Sequence, residues 1–244
     1  MTITVKSTSA EMGSAAAAKA AEVLNTAIAE NGQARLVLST GASQFETISA
    51  LIKQNVNWSK VEMFHLDEYV NLPESHPASF RKYLKERFAS QVTLKNAFFV
   101  NGEGDVALHI AQLTEELRKK PVDVGLIGIG ENAHIAFNDP PADFETDEAY
   151  MVVNLDNKCK KQQVGEGWFE TINDVPKQAI TMTVNQILSC KTIISCVPHT
   201  VKAQAVKDTL TLAVTPLVPA TVLKTHPNWH LFIDNDSAAE LFQV

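Results

Sequence analysis

Three short stretches of this chain gather side chains able to move protons or hold an anion. The first is Gly128-Ile129-Gly130-Glu131-Asn132-Ala133-His134-Ile135-Ala136-Phe137-Asn138-Asp139-Pro140. Its two glycines permit a sharp backbone turn. Behind the turn come an amide, an imidazole and a carboxylate, on Asn132, His134 and Asp139. An imidazole exchanges protons near neutral pH. The second stretch is Asp67-Glu68-Tyr69, whose adjacent acids can bind a metal, act as a base or cap the next element. The third is Thr40-Gly41-Ala42-Ser43. A Gly turn between strand and helix offers free backbone N–H groups to a phosphate, and two hydroxyls add to them. Ser43 is equally suited to a plain N-cap. The motif lacks the spacing and the Lys of a P-loop.

The elements that position these stretches are legible from periodicity. Apolar runs at 35–39, 61–66 and 122–127 read as strands, one leading into each stretch. Loops at the carboxyl ends of parallel strands are where open α/β folds place their chemistry. Helical spacing covers 11–31, with Gly32 as its stop, and then Phe45, Ile48, Leu51 and Ile52. It returns over 78–90 and 105–119. Further strands are expected at 97–100, 150–154, 179–183, 191–197, 220–223 and 229–233. Pro198-His199-Thr200 turns into a helix carrying Lys202, and a short helix over 237–242 closes the chain. This alternation predicts an α/β fold: a three-layer, Rossmann-like open sheet, mainly parallel, with helices on both faces. One domain spanning 1–244 is expected. The acidic 142–149 reads as a surface loop. The polar segment 156–168, extending to about 175, is a candidate mobile flap because it has few apolar anchors. Trp168 and Phe169 either close over a ligand or anchor that flap.

Composition narrows the function. The chain has 244 residues and a net charge of −7 with its charges mixed, which disfavours a nucleic-acid surface. An anionic substrate must therefore be held by a few local cations and helix N-termini. The three cysteines, Cys159, Cys190 and Cys196, form no C-x-x-C pair, so reduced cytoplasmic thiols are expected. No apolar run approaches membrane-spanning length, and the N-terminus lacks a signal-peptide core. His65 falls on the core side of its strand and reads as structural. His226 and His230 come without a recognisable ligand set, so no metal is expected.

Taken together these segments resemble the glucosamine-6-phosphate deaminase (isomerase) family. The likeness rests on Ser39-Thr-Gly-Ala-Ser43, Phe64-His-Leu-Asp-Glu-Tyr-Val-Asn-Leu-Pro73, the 128–140 stretch, Val175-Pro-Lys-Gln-Ala-Ile-Thr181, Lys202-Ala-Gln-Ala-Val206 and Thr225-His-Pro227. The same superfamily contains 6-phosphogluconolactonases. Those typically carry D-E-R and G-H-T-A-S-L where this chain has Asp67-Glu68-Tyr69 and Ala133-His134-Ile135-Ala136-Phe137-Asn138. The resemblance implies conversion of glucosamine 6-phosphate to fructose 6-phosphate and ammonia, without metal or organic cofactor. It implies Asp67 as the base that moves a proton between C2 and C1, and His134 as the group assisting ring opening. Thr40, Gly41, Ala42, Ser43 and Lys202 would hold the phosphate. Glu68 is either a neighbour of the catalytic base or a salt-bridge partner.

The resemblance also places Asn132 and Asp139 among the catalytic residues, where the family commonly has Asp and Glu: Asn132 can orient His134 but adds no charge, and Asp139 keeps the charge one methylene shorter. The family commonly has Gly at Ala133. It also has a second basic residue for the phosphate, for which Lys158, Lys160 and Lys161 are the candidates. The acidic 142–150 segment does not supply an allosteric amino-sugar site. The expected partner is a small amino-sugar phosphate, with a homo-oligomer possible and neither nucleic acid nor membrane involved. The alternatives are a galactosamine-6-phosphate isomerase, a 6-phosphogluconolactonase-like hydrolase and a non-catalytic sugar-phosphate sensor.

Overall fold

The computed structural model describes residues 1–241. Strands β1 (Thr2–Lys6), β2 (Ala34–Leu38) and β3 (Val61–His65) are separated by helices α1 (Ser9–Asn31) and α2 (Phe45–Leu51). Then follow β4 (Asp67–Tyr69), α3 (Phe80–Leu84, continued by a π turn over Lys85–Ala89), β5 (Asn96–Ala97), α4 (Val106–Arg118) and β6 (Val124–Leu126). The second half contains β7 (Tyr150–Asn154), α5 (Asn157–Gly165), β8 (Gln178–Met182), α6 (Val184–Leu188), β9 (Thr192–Val197), α7 (Ala203–Thr211) and β10 (Trp229–Asp234).

Seven strands form one sheet in the order β1-β10-β9-β6-β2-β3-β5, and every neighbouring pair is parallel. Side chains alternate between its two faces. Val37, Phe64, Ile193 and Leu231 enter one apolar cluster with α4, α6 and α7, while Leu36, Leu38, Met63, Ile194 and Phe232 enter another with α1 and α2. Strands buried on both faces read as continuous apolar runs, as these do. Helix α1 begins where the Thr8 hydroxyl accepts from Glu11 N–H and ends at Gly32 in the left-handed region. Its alanines allow a close approach to α2. From β2 the chain first builds outward through β3 to β5, then returns to place β6 on the other side of β2. That reversal opens a crevice above the carboxyl ends of β2 and β6, the place where open α/β sheets bind ligands.

Beside it lies a three-stranded antiparallel sheet, β4-β8-β7. Leu66 joins the two sheets. Its N–H donates to Leu38 O at 3.2 Å on the large sheet, and its carbonyl accepts from Met182 N–H at 2.7 Å on the small one.

The sequence expectations for 150–154, 179–183 and 229–233 match strands, but the first two of these lie in the small sheet rather than the large one. Residues 220–223 are not a strand: they sit inside a buried 3-10 helix, Pro219–Thr225. Their apolar run serves burial, and the Pro at the start suits a helical turn. The N-terminal residues form an edge strand on β10 that periodicity did not single out. The expected terminal helix is a 3-10 turn at Ala239–Leu241, and Phe242 lies outside the described residues. Among the described residues no helix is long and apolar enough to cross a membrane.

Candidate active site

Four neighbouring strands, β9, β6, β2 and β3, end at one cavity of about 190 Å³. Thr40, Gly41, Ala42 and Ser43 line it from the β2 end, Asp67 from the junction beyond β3, His134 from the β6 loop and Lys202 from the β9 end. Residues separated by more than half the chain are thus brought to one place by strand order.

The phosphate-type loop is fixed from behind. Gly41 turns at φ 99°, and its carbonyl accepts from the Tyr83 hydroxyl at 3.0 Å and from Gln44 N–H at 3.1 Å. The Gln44 amide spans the crevice, donating to Ser43 Oγ and to Cys196 O on β9, both at 3.1 Å. Ser39 Oγ is buried without a hydrogen-bond partner on the cavity wall.

Asp67 is the first residue of β4, one residue past Leu66. It is 7% exposed. Burial, with the Glu68 charge beside it, pushes its carboxyl up to about 8. Glu68 points away from the cavity. Its carboxylate accepts from Ser79 Oγ at 2.8 Å, from Arg81 N–H at 2.9 Å, and from Arg81 Nε and Phe80 N–H at 3.1 and 3.2 Å. Arg81 is buried too; its Nη1 donates to Asn101 Oδ1 at 2.7 Å and its Nη2 to the Leu72 carbonyl and Glu103. Glu68 is therefore the salt-bridge partner of the two sequence readings and not a cavity residue. Adjacent residues on a strand face opposite ways, which separates Asp67 from Glu68.

His134 lies against Gly130 so closely that a Cβ at position 130 would stand 2.3 Å from the ring. Glycine is required there by space alone. Asp139 Oδ1 is 3.1 Å from His134 Nδ1, a contact that is close but not aligned as a hydrogen bond. Asn132 connects the two: its Oδ1 accepts from His134 N–H and its Nδ2 donates to Asp139 Oδ1, each at 3.2 Å. Burial raises the Asp139 carboxyl, but His134, Asn132 and the Cys159 thiol outweigh it and leave the group below its ordinary range. Asn132 and Asp139 thus stand behind the imidazole instead of lining the cavity. With Nδ1 turned to Asp139, Nε2 is the ring nitrogen left for a ligand. Asn138 braces the loop, donating to Ile135 O at 2.8 Å and Met182 O at 2.9 Å. Ala133 adopts φ 61°, a left-handed value that explains why a glycine also suits this position.

Lys202 is 6% exposed, and burial holds its ammonium below the usual lysine range against the pull of Glu166 and Glu131. The segment at 156–168 forms α5, capped by Asp156, and covers one side of the cavity through Gln162, Gln163, Glu166 and Trp168. Few anchors were expected, yet Cys159, Leu155 and Phe169 are buried with Tyr69 and Phe137, and the Tyr69 hydroxyl donates to Gln163 Oε1 at 2.8 Å. Trp168 faces the cavity and Phe169 anchors the segment, which divides the two roles left open for them. Lys158, Lys160 and Lys161 do not line the cavity.

Sequence reading passed over Glu131, Gln162, Gln163, Glu166 and His199 as lining residues. His199 had a usable signal, since it occupies the turn after a central strand. His65, His226 and His230 are structural: His65 Nε2 accepts from Val100 N–H at 2.8 Å, His226 Nε2 meets Cys190 O at 2.7 Å, and His230 Nδ1 meets Thr2 Oγ1 at 2.6 Å. Among the described residues no group of three or more His, Cys, Asp and Glu side chains is placed to hold a metal.

A family model described as glucosamine-6-phosphate isomerases/6-phosphogluconolactonase matches residues 7–231. The chain belongs to this family. A curated glucosamine-6-phosphate deaminase from Listeria monocytogenes is 34% identical over 224 residues, covering 91% of this chain and 94% of that protein. Among solved structures, a monomeric glucosamine-6-phosphate deaminase superposes with a TM-score of 0.89 at 28% identity, over 98% of this chain and all of that one. A 6-phosphogluconolactonase from Shewanella baltica gives 0.77 at 19% identity, over 96% and 97% of the two chains, a likeness of fold alone. Of the residues expected to act, Asp67, His134, Lys202 and the Thr40–Ser43 loop share one cavity here, with Asn132, Asp139 and Glu68 set behind it.

The Glu68 carboxylate is buried and accepts several hydrogen bonds, while Arg81 keeps Glu103 at 2.8 Å when Glu68 is neutralised. Glu68→Gln is expected to lower unfolding stability by about 1.5–3 kcal/mol, the scale of hydrogen bonds to a charged group, measured by urea titration. A loss below about 1 kcal/mol, the range of exposed pairs, would show that the pair is not structural.

Proposed function

We propose that the chain is an aldose–ketose isomerase that releases ammonia, converting glucosamine 6-phosphate and water to fructose 6-phosphate. The observation that carries this reading is one cavity that holds a buried carboxylate of raised pKa, an oriented imidazole and an anion-binding end. The family membership supports the sugar-phosphate class, and the likeness to named deaminases supports the amino sugar.

The chemistry follows from the residues. The loop at Thr40–Ser43 and Lys202 hold the phosphate, and that remote binding energy fixes the sugar's other end against Asp67 and His134. His134 Nε2 takes the C1 hydroxyl proton and returns a proton to the ring oxygen, opening the pyranose to its aldehyde. Asp67 removes the proton on C2, giving an enolamine across C1 and C2. It returns that proton to C1, which leaves an imine at C2. Water adds at C2, and the C2–N bond breaks to give the ketone and ammonia. A dried carboxylate is a stronger base than an exposed one, which the proton on C2 demands. The substrate's own C2 ammonium, once bound, offsets the Glu68 charge that holds Asp67 up. The likeness to a deaminase described as monomeric supports a monomer, acting on a cytoplasmic metabolite.

The testing experiment measures ammonia and fructose 6-phosphate from glucosamine 6-phosphate, with galactosamine 6-phosphate alongside. Equimolar products from the gluco epimer are expected. Ammonia from the galacto epimer alone would keep the mechanism and change the substrate, and none from either would remove the reading. Asp67→Asn should abolish C2 proton exchange in deuterated water while sugar phosphate still binds; retained exchange would remove Asp67 as the base. His134→Ala should slow turnover by about 10²–10⁴-fold, the usual weight of a general acid–base group, and weaken affinity far less.

The pH profile should carry the same signature. The base is active when ionised, and Asp67 in the free enzyme ionises at about 8. Activity as kcat/KM should therefore fall as pH drops through that value, well above the ordinary carboxylate range. Glu68→Gln removes a neighbouring charge, so it should move this limb to lower pH in the folded fraction. Substrate ionisations cannot move with that substitution, so an unshifted limb would deny the assignment to Asp67.

A further inference from the structure

We propose that His199 is a second phosphate-binding residue of the cavity, working beside Lys202. The inference rests on the sugar-phosphate reading above and assigns one more residue to that site. Charge is the first ground. A phosphate monoester carries nearly two negative charges at neutral pH. Among the described residues that line the cavity, Lys202 supplies the one lysine or arginine charge, while Glu131 and Glu166 supply carboxylates facing it. The lysines of the covering segment stand outside the lining. His199 is the lining residue on the same tight turn as Lys202, whose N–H donates to the His199 carbonyl at 3.0 Å.

Backbone geometry is the second and independent ground. His199 sits at φ 79° and ψ 147°, a combination that only glycine adopts without strain. Its N–H is held by both oxygens of Asp234, each at 3.1 Å, and Asp234 is fixed in turn by Ser237 N–H at 2.8 Å. That anchor uses only the backbone N–H, which a glycine would supply equally. The strain is therefore not needed to hold the turn. What a histidine adds at this position is its side chain, on an exposed residue that lines the same cavity as Lys202.

The test is calorimetric titration of the full chain with fructose 6-phosphate and, separately, inorganic phosphate, comparing wild type with His199→Gly and His199→Gln. Both substitutions should raise Kd for fructose 6-phosphate by about tenfold, the size of one charge-assisted hydrogen bond. Inorganic phosphate should weaken by the same ratio. His199→Gly should melt at the same temperature as wild type or higher, since it removes the strain. Kd values within twofold of wild type for both variants would overturn the assignment. So would a loss confined to the sugar phosphate, which would place His199 on the sugar, or a wild type that binds neither ligand. A wild type that binds fructose 6-phosphate but releases no ammonia would remove the deaminase reading, and the same Kd ratio would still judge His199. If His199→Gly fails to fold, His199→Gln alone decides.

Discussion

The site depends on one backbone residue that belongs to two sheets. Leu66 is hydrogen-bonded to β2 through its N–H and to β8 through its carbonyl. A chain leaving a parallel sheet normally enters a solvated loop. Here it enters a second sheet at once, so the next side chain, Asp67, is trapped in the seam. The Tyr150 hydroxyl donates to the His65 carbonyl at 2.8 Å and ties β7 to the same point, while Thr181 on β8 pairs with Asp67 in register and lends its hydroxyl to Phe137 N–H at 3.0 Å. The small sheet thus positions both the buried carboxylate and the loop that bears His134. Without it, Asp67 would be an ordinary acid at the end of a strand.

Electrostatics in the cavity are arranged as opposing penalties. Burial raises the Asp67 carboxyl and lowers the Lys202 ammonium, so each of these two lining charges is held at some cost in the empty protein. In the reaction proposed above, an amino-sugar phosphate would bring a cation towards Asp67 and an anion towards Lys202, relieving both penalties together, whereas a neutral sugar would relieve neither. That is how a chain of net charge −7 would take an anionic substrate. The long-range field is unfavourable, but the local pairing is made in a low-dielectric site where it weighs more.

Much of this was legible in the sequence, for identifiable reasons. The strands ending at Leu38, His65, Leu126 and Val197 are buried on both faces and wrote themselves as apolar runs, and the Gly-rich or polar turns behind them mark the cavity rim. What periodicity does not contain is pairing. Residues 150–154 and 179–183 read correctly as strands, but nothing in an alternating pattern says which sheet a strand joins. Residues 220–223 misread as strand because a short apolar run fits any fully buried element. The side facing of Asp67 and Glu68 was available from the period of a strand. The anchoring of α5 was not, because Cys159, Leu155 and Phe169 are scattered through a polar segment and meet only in the fold.

Asn132 was the departure that most threatened a catalytic reading, and its contacts reverse the argument. Its amide nitrogen lies 3.2 Å from Asp139 Oδ1. A carboxylate in the same place would set two negative charges at hydrogen-bond distance, tolerable only if one kept a proton. The amide instead gives a donor to Asp139 and an acceptor to the His134 backbone, so it fixes the loop and aims the carboxylate with no added charge. The charge that faces the imidazole is then supplied by Asp139 alone. Its carboxyl lies below the ordinary range despite burial, so it remains an anion throughout the neutral range. An amide that organises a carboxylate and an imidazole supplies orientation, which is what the proton transfers proposed for His134 require.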